Sequence, residues 1–147
     1  MGIGRKLARH RVSSMGENMI ERIMEIIRTR FSDYRLTVDE LATEAKISVS
    51  HLRELTCDAL GRPPQWLIET VRLEEALKMI AETNGNLYAI CKNVGYASQK
   101  AFRKAFRKRI GITPSIYREQ VACAKLREIV IDKYMEVLHA KTGEKFR

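Results

Sequence analysis

The chain repeats itself. Shifted by 50 residues, Leu52 falls on Phe102, Leu55 on Ala105, Gly61 on Gly111, Pro64 on Pro114 and Ser48 on Ser98. Shifted by 49, the segment just upstream matches too: Leu41-Ala42 meets Ile90-Cys91, and Ala45 meets Val94. Self-similarity at a fixed spacing means that one supersecondary unit is used twice. Any fold proposed for this chain must therefore accommodate two copies, each ending in Gly-x-x-Pro.

Each copy reads as two short helices. Thr37 with Glu40 three residues on has the form of a capping box, and Leu41, Ala42 and Ala45 give the helix behind it an apolar side. Lys46-Ile47 is a tight connection. Ser48 is placed to cap a second helix through Leu60, and Gly61 ends it, the residue that tolerates the left-handed position after a helix. In the second copy Leu87, Ile90, Cys91 and Val94 form the first helix, Gly95 turns the chain, and a helix over about residues 98–110 stops at Gly111. Two short helices across a three- to four-residue turn make a helix-turn-helix.

Pro63-Pro64 opens the helix between the copies, since proline suits a first turn. It runs to about Thr83 with Leu73, Ala76, Leu77 and Ile80 on one face, and Asn84-Gly85-Asn86 breaks it. Ahead of the first copy, Ile20, Ile23, Met24, Ile27 and Phe31 recur at helical steps. Pro114 opens a last helix, drawn here as one element through Tyr117 to His139. No strand pattern emerges. The expected fold is all-α: two helix-turn-helix subdomains joined by a long central helix, with a C-terminal helical extension. The segments are a flexible basic arm at 1–16 (Arg5, Lys6, Arg9, Arg11), a first subdomain at 17–63, a linker helix at 64–84, a second subdomain at 85–118 and the extension at 119–147.

Charge narrows the function. Lys and Arg number 27 against 18 Asp and Glu, a formal net charge of +9, which favours polyanionic partners. The surplus is concentrated: residues 92–109 hold Lys92, Lys100, Arg103, Lys104, Arg107, Lys108 and Arg109 and no acid. Gln99, Lys100, Arg103, Lys104 and Arg107 recur at three- and four-residue steps on one face of the second helix, with Phe102, Ala105 and Phe106 on the other. Gln bonds adenine bidentately and Arg or Lys the guanine edge; basic residues towards the helix end, Arg107 and Lys108 among them, meet phosphate.

Other classes find little support. His10, His51 and His139 are scattered and no nucleophile or carboxylate constellation appears, so neither an enzyme nor catalytic residues are expected. Cys57, Cys91 and Cys123 lack metal-ligand spacing and are read as small core residues; no metal and no cofactor are expected. With no secretory signal and no apolar run of membrane-spanning length, a cytoplasmic location is expected.

Arg72-Leu73-Glu74-Glu75-Ala76, the stretch from Ile90 through Tyr96, the stretch from Ser98 through Lys108, and Gly111-x-x-Pro114-x-x-Tyr117-Arg118 resemble the AraC/XylS family of bacterial transcriptional regulators. The resemblance covers roughly residues 19–118. It implies a sequence-specific DNA-binding transcriptional regulator, with the linking helix holding two recognition helices in successive major-groove segments about 34 Å apart. Carried over by position, the base-reading sites are Gln99, Lys100, Arg103 and Lys104 in the second copy, and Val49, Ser50, Arg53 and Glu54 in the first. Glu54 stands where the family usually carries Arg, and Thr56 and Cys57 where it has an aromatic and Lys. The chain is similar in size to the short stand-alone members, or is part of something longer. Double-stranded DNA is the expected partner, with RNA polymerase a second; the alternative is an adaptor that uses the fold to grip a regulator or polymerase.

The two copies should be unequal. Residues 37–61 hold Asp39, Glu40, Glu44, Glu54 and Asp58 against Lys46 and Arg53, a balance of −3. The second copy is therefore expected to dominate DNA binding. Beyond Arg118, Leu126, Ile129, Val130, Lys133 and Val137 repeat at helical steps, expected either to pack back on the chain's own domain or to form a dimer contact.

Overall fold

Side-chain oxygens start five of the eight described helices. The computed structural model describes residues 14–140, and Thr37, Ser48, Asn86, Ser98 and Thr113 each accept a backbone N–H of the turn they open. Such caps satisfy donors that have no partner inside the helix. The described elements are α1 (Ser14–Arg30), α2 (Val38–Ala45), α3 (Val49–Leu60), α4 (Pro64–Glu82), α5 (Leu87–Asn93), α6 (Gln99–Ile110), α7 (Pro114–Cys123) and α8 (Arg127–His139). No strand occurs among the described residues, and the fold is all-α as expected. Arg5, Lys6, Arg9 and Arg11 of the expected arm lie outside the described residues. Ser14, Met15 and Gly16, assigned to that arm, instead begin α1.

The described chain divides into two units, residues 14–31 with 35–68, and residues 32–34 with 69–140. The boundary falls inside α4, whose first residues, 64–68, belong to the first unit. In the first unit α1 packs on α2 and α3, and α2 on α3. The core is Ile20, Ile23, Ile26 and Ile27 of α1, Leu41, Ala42 and Ala45 of α2, and Leu52, Ala59 and Leu60 of α3. Met24 and Phe31, expected on the buried face of α1, are only half-buried. Arg30 ties α1 to α2 through Glu44 at 2.7 Å and Glu40 at 3.3 Å. Exposed pairs of this kind contribute about 0–1 kcal/mol each, so the isoleucine row does most of the holding. Only half of the expected capping box forms. The Thr37 hydroxyl accepts the Glu40 N–H, while the Glu40 carboxylate goes to Arg30.

The second unit is built on Leu73, Ala76, Leu77 and Ile80 of α4, which meet Ile90 and Cys91 of α5, Phe102, Phe106 and Ile110 of α6, Tyr117 and Val121 of α7, and Tyr134 and Leu138 of α8. Tyr117 is fully buried and donates its hydroxyl to the Leu77 carbonyl at 2.9 Å. Burial pushes the Tyr117 hydroxyl above the ordinary phenol range. Arg72, also buried, donates to the Asp33 carbonyl at 3.0 Å, which seats the 32–34 segment in this unit.

The C-terminal segment corrects the single long helix expected from Pro114 to His139. The chain leaves helical geometry at Ala124 (φ −80°, ψ 139°) and resumes at Arg127. The cause is tertiary, since neither glycine nor proline stands at 124–126. In an uninterrupted helix Tyr117 and Tyr134 would lie about 25 Å apart along the axis at 1.5 Å per residue. The break folds α8 back, and the two rings stand 5.6 Å apart in a T-shaped contact. The extension thus packs on its own unit, but through another face than expected. Tyr134 and Leu138 are buried, with Val130 and Val137 partly so, whereas Leu126 and Ile129 are exposed.

The two helix-turn-helix connections differ. Residues 46–48 join α2 to α3 and residues 94–98 join α5 to α6. The repeat places Lys46 on Gly95, and both take positive φ, 63° and 98°. A side chain in this left-handed region costs about 1–2 kcal/mol, which glycine avoids. Lys46→Gly should therefore raise unfolding stability by about 0.5–1 kcal/mol, the strain relieved being partly offset by glycine's greater unfolded-state entropy; urea denaturation checks this.

Candidate nucleic-acid interface

A helix held by one side presents the other. In α6, Phe102, Ala105, Phe106 and Ile110 turn inward and are buried. The 100° step per residue then carries Gln99, Lys100, Arg103, Lys104, Arg107 and Lys108 outward, and all six are exposed. They line a single shallow groove with Thr113, the cap of α7. No acidic residue lines this groove, and its five cations form no ion pair among the described residues. Lys and Arg near a helix C-terminus also complement the macrodipole. That accounts for Arg107 and Lys108 at the last turn, but not for Lys100, Arg103 and Lys104 nearer the start.

The inner side of α6 is set by rings. Tyr96, Phe102, Phe106, Tyr117 and Tyr134 form a continuous series with centroid separations of 5.5, 5.7, 6.0 and 5.6 Å. Tilted and edge-to-face pairs at such distances add about 0.5–1.5 kcal/mol each beyond area burial. Tyr96 also lies beneath the Arg72 guanidinium at 5.6 Å.

Arg109 corrects the sequence reading. Counted there with the basic run, it is only 3% exposed. It donates to the Glu69 carboxylate at 2.8 Å, the Thr70 hydroxyl at 2.7 Å and the Leu138 carbonyl at 3.0 Å. The signal was in the spacing: 109 follows Phe102 by seven, Ala105 by four and Phe106 by three, all inward positions. Thr113 is a groove residue that the sequence reading missed; as the residue before Pro114 it was legible as a cap, not as a neighbour of α6.

In the first unit, Ser50 and Arg53 are exposed on α3, as is Glu54, while Val49 is half-buried. The repeat puts Arg53 on Arg103, Glu54 on Lys104, Cys57 on Arg107 and Asp58 on Lys108. Of these four positions α3 keeps one cation and gains two carboxylates. Inside, Thr56 takes the place of Phe106; it is fully buried and its hydroxyl donates to the Arg53 carbonyl at 3.3 Å. Thus α3 carries less charge for a polyanion and a smaller apolar anchor than α6.

The cysteines divide. Cys91 is buried as expected, its thiol pKa raised by burial. Cys57 and Cys123 are exposed, contrary to the core role expected for them, because each falls on the outward side of its helix. His51 is a surface residue, 3.9 Å from the Glu54 carboxylate. Among the described residues no His, Cys, Asp and Glu group is arranged to hold a metal ion, and no helix is long and apolar enough to cross a membrane.

Residues 41–120 match the family described as Helix-turn-helix domain, more than half of the chain. The chain belongs to the AraC/XylS family of helix-turn-helix proteins. It is similar to the RCS-specific HTH-type transcriptional activator RclR of Escherichia coli, 36% identical over 85 residues, which are 58% of this chain and 30% of that protein. It is also similar to the HTH-type transcriptional activator AarP of Providencia stuartii, 32% identical over 84 residues, 57% of this chain and 62% of that one. Among solved structures it resembles the C-terminal domain of AraT, a response regulator from Geobacillus stearothermophilus. The TM-score is 0.69 at 28% identity, covering 75% of this chain and 88% of that one. The matched stretch spans about a third of the length of several curated relatives. Within this AraC/XylS chain, the family match ends inside α7 and leaves α8 beyond it.

The caps of α3 and α6 are equivalent: Ser48 accepts the His51 N–H at 3.0 Å and Ser98 the Ala101 N–H at 3.1 Å. Ser48→Ala and Ser98→Ala should each lower stability by about 1 kcal/mol, as read by denaturant midpoints at unchanged slope.

Proposed function

We propose that this chain is a sequence-specific, DNA-binding transcriptional regulator in which α6 reads bases in the major groove and the second unit supplies most of the affinity. The observation that carries the reading is the groove face of α6: Gln99 and five cations that pair with no acid among the described residues, on the second helix of a helix-turn-helix. Gln99, Lys100, Arg103 and Lys104 are the base-reading side chains, with Arg107 and Lys108 on phosphate. In the first unit Ser50 and Arg53 make the corresponding contacts more weakly, each unit taking its own groove segment. Relatives named as transcriptional activators support a regulatory role. So concentrated a cationic face on a helix-turn-helix favours DNA over a protein-only partner. RNA polymerase is the protein partner that regulation implies, and Glu54 and Asp58 offer it a carboxylate surface on α3. The action is binding, with no catalytic step, and its place is the cytoplasm with the DNA.

Three substitutions test this. Arg103→Ala should cost about 1–3 kcal/mol on a selected cognate duplex and much less on a scrambled one. Lys104→Ala should weaken binding and reduce the salt slope by about one unit. Glu54→Ala should leave affinity unchanged or raise it, because a carboxylate at that place repels phosphate. A large, sequence-dependent loss from Glu54→Ala would make the first unit a base reader of equal rank, and equal small losses on both duplexes from Arg103→Ala would reduce that residue to a phosphate contact.

A further inference from the structure

The segment after α7 lies beyond the family match, yet it is joined to the back of the recognition helix at two places. The first is Arg109, on α6 itself. Its guanidinium reaches Glu69 and Thr70 of α4 and the Leu138 carbonyl at the end of α8, so that one side chain links three helices. The second is the ring series, in which Tyr134 of α8 closes on Tyr117 and, through it, on Phe106 and Phe102 behind the groove face. The helix α8 is itself fastened at both ends. Arg127 donates to the Ala81 carbonyl at its start, and at its finish His139 meets the Glu74 carboxylate at 2.6 Å. Between these ends α8 packs on α6 and α7, and Tyr134 donates its hydroxyl to Gln120 at 2.6 Å.

From this geometry we infer that α8 is part of the DNA-reading apparatus: through Arg109 and Tyr134 it positions α6, and these two are positioning residues for the bases read by Gln99 and Arg103. The argument rests on tolerance. A bidentate contact to a base edge has defined geometry, and a reading side chain holds it only when the helix beneath is fixed to within about 0.5 Å. Phe102 and Phe106 limit how far α6 moves towards its core, but dispersion is non-directional and leaves sliding along the axis weakly opposed. The fork of Arg109 supplies the missing direction. Three hydrogen bonds near the C-terminal end of α6 fix its register, two against α4 and one against α8, whose Leu138 carbonyl is within reach only because α8 has folded back. Lysine would keep the charge but not the fork. The first unit has Ala59 at the place of Arg109, so α3 lacks this brace, in keeping with its weaker part in binding.

This inference rests on the proposed base-reading role of α6, and the experiment separates the two. Arg109→Lys, Arg109→Met and Tyr134→Leu are made in the full chain and compared well below their melting temperatures. Amide hydrogen exchange is measured without DNA, and binding is measured to the selected duplex, to one altered in the segment read by α6, and to unrelated duplex. Exchange in α6 should quicken by about tenfold while α5, in the same unit, changes little. Discrimination between the selected and altered duplexes should fall by about tenfold, the scale of one good base contact, while the salt slope stays the same because no phosphate contact is lost. Should Arg109→Met fail to fold, Arg109→Lys and Tyr134→Leu carry the comparison. Variants that melt earlier, yet keep full discrimination and unchanged exchange in α6, would show Arg109 and Tyr134 to be structural only and overturn the inference. A wild-type chain without sequence preference would remove the base-reading proposal, and the exchange data would still decide whether α8 holds α6 in place.

Discussion

Burial of Phe102 and Phe106 is the constraint on which the rest of the second unit depends. Burying a side chain of this size contributes about 1.5–3 kcal/mol. The opposite face of α6 sets Lys100, Arg103, Lys104, Arg107 and Lys108 at three- and four-residue steps, where like charges oppose helix formation by about 0.2–0.5 kcal/mol per neighbouring pair. The two rings outweigh that repulsion, so the helix can hold a cationic row that no described acid neutralises. A polyanion in the groove would remove the repulsion and add its own attraction, and the same residues that strain the free protein would stabilise the bound one.

Most of this face is legible in the amino-acid sequence. The caps at Ser48 and Ser98, the glycines at 61 and 111 and the 50-residue repeat mark where α3 and α6 begin and end, and a 3.6-residue period then sorts their side chains into two faces. What is not legible comes from contacts between residues far apart in the chain. The break at 124–126 has no local signal and follows from the pull of Tyr134 and Leu138 towards the core. Leu126 and Ile129 are as apolar as Val130 and Val137, and only the direction in which α8 folds back decides which pair is buried. Arg109 lies between these cases. Its inward position follows from helical spacing, but its charge argues for the surface, and only the placement of Glu69, Thr70 and Leu138 around it resolves the conflict.

The repeat has diverged in a consistent direction. In passing from the second copy to the first, Phe106 becomes Thr56, Arg109 becomes Ala59, and Lys104 and Lys108 become Glu54 and Asp58. The inner changes weaken the anchoring of the helix and the outer ones weaken its attraction for phosphate. The second helix-turn-helix presents a ring-anchored cationic helix, and the first presents the same framework with a different surface. Lys46 in the left-handed position that Gly95 fills in the second copy is a further local cost borne by the first.

Selection of bound duplexes from a random pool tests the central claim most directly, performed on the full chain and on a Gln99→Ala variant. The account predicts one block of strongly fixed base pairs accompanied by a weaker one, with the strong block alone losing a fixed adenine position in the variant. Two blocks of equal strength, or a strong block that Gln99→Ala leaves intact, would contradict it.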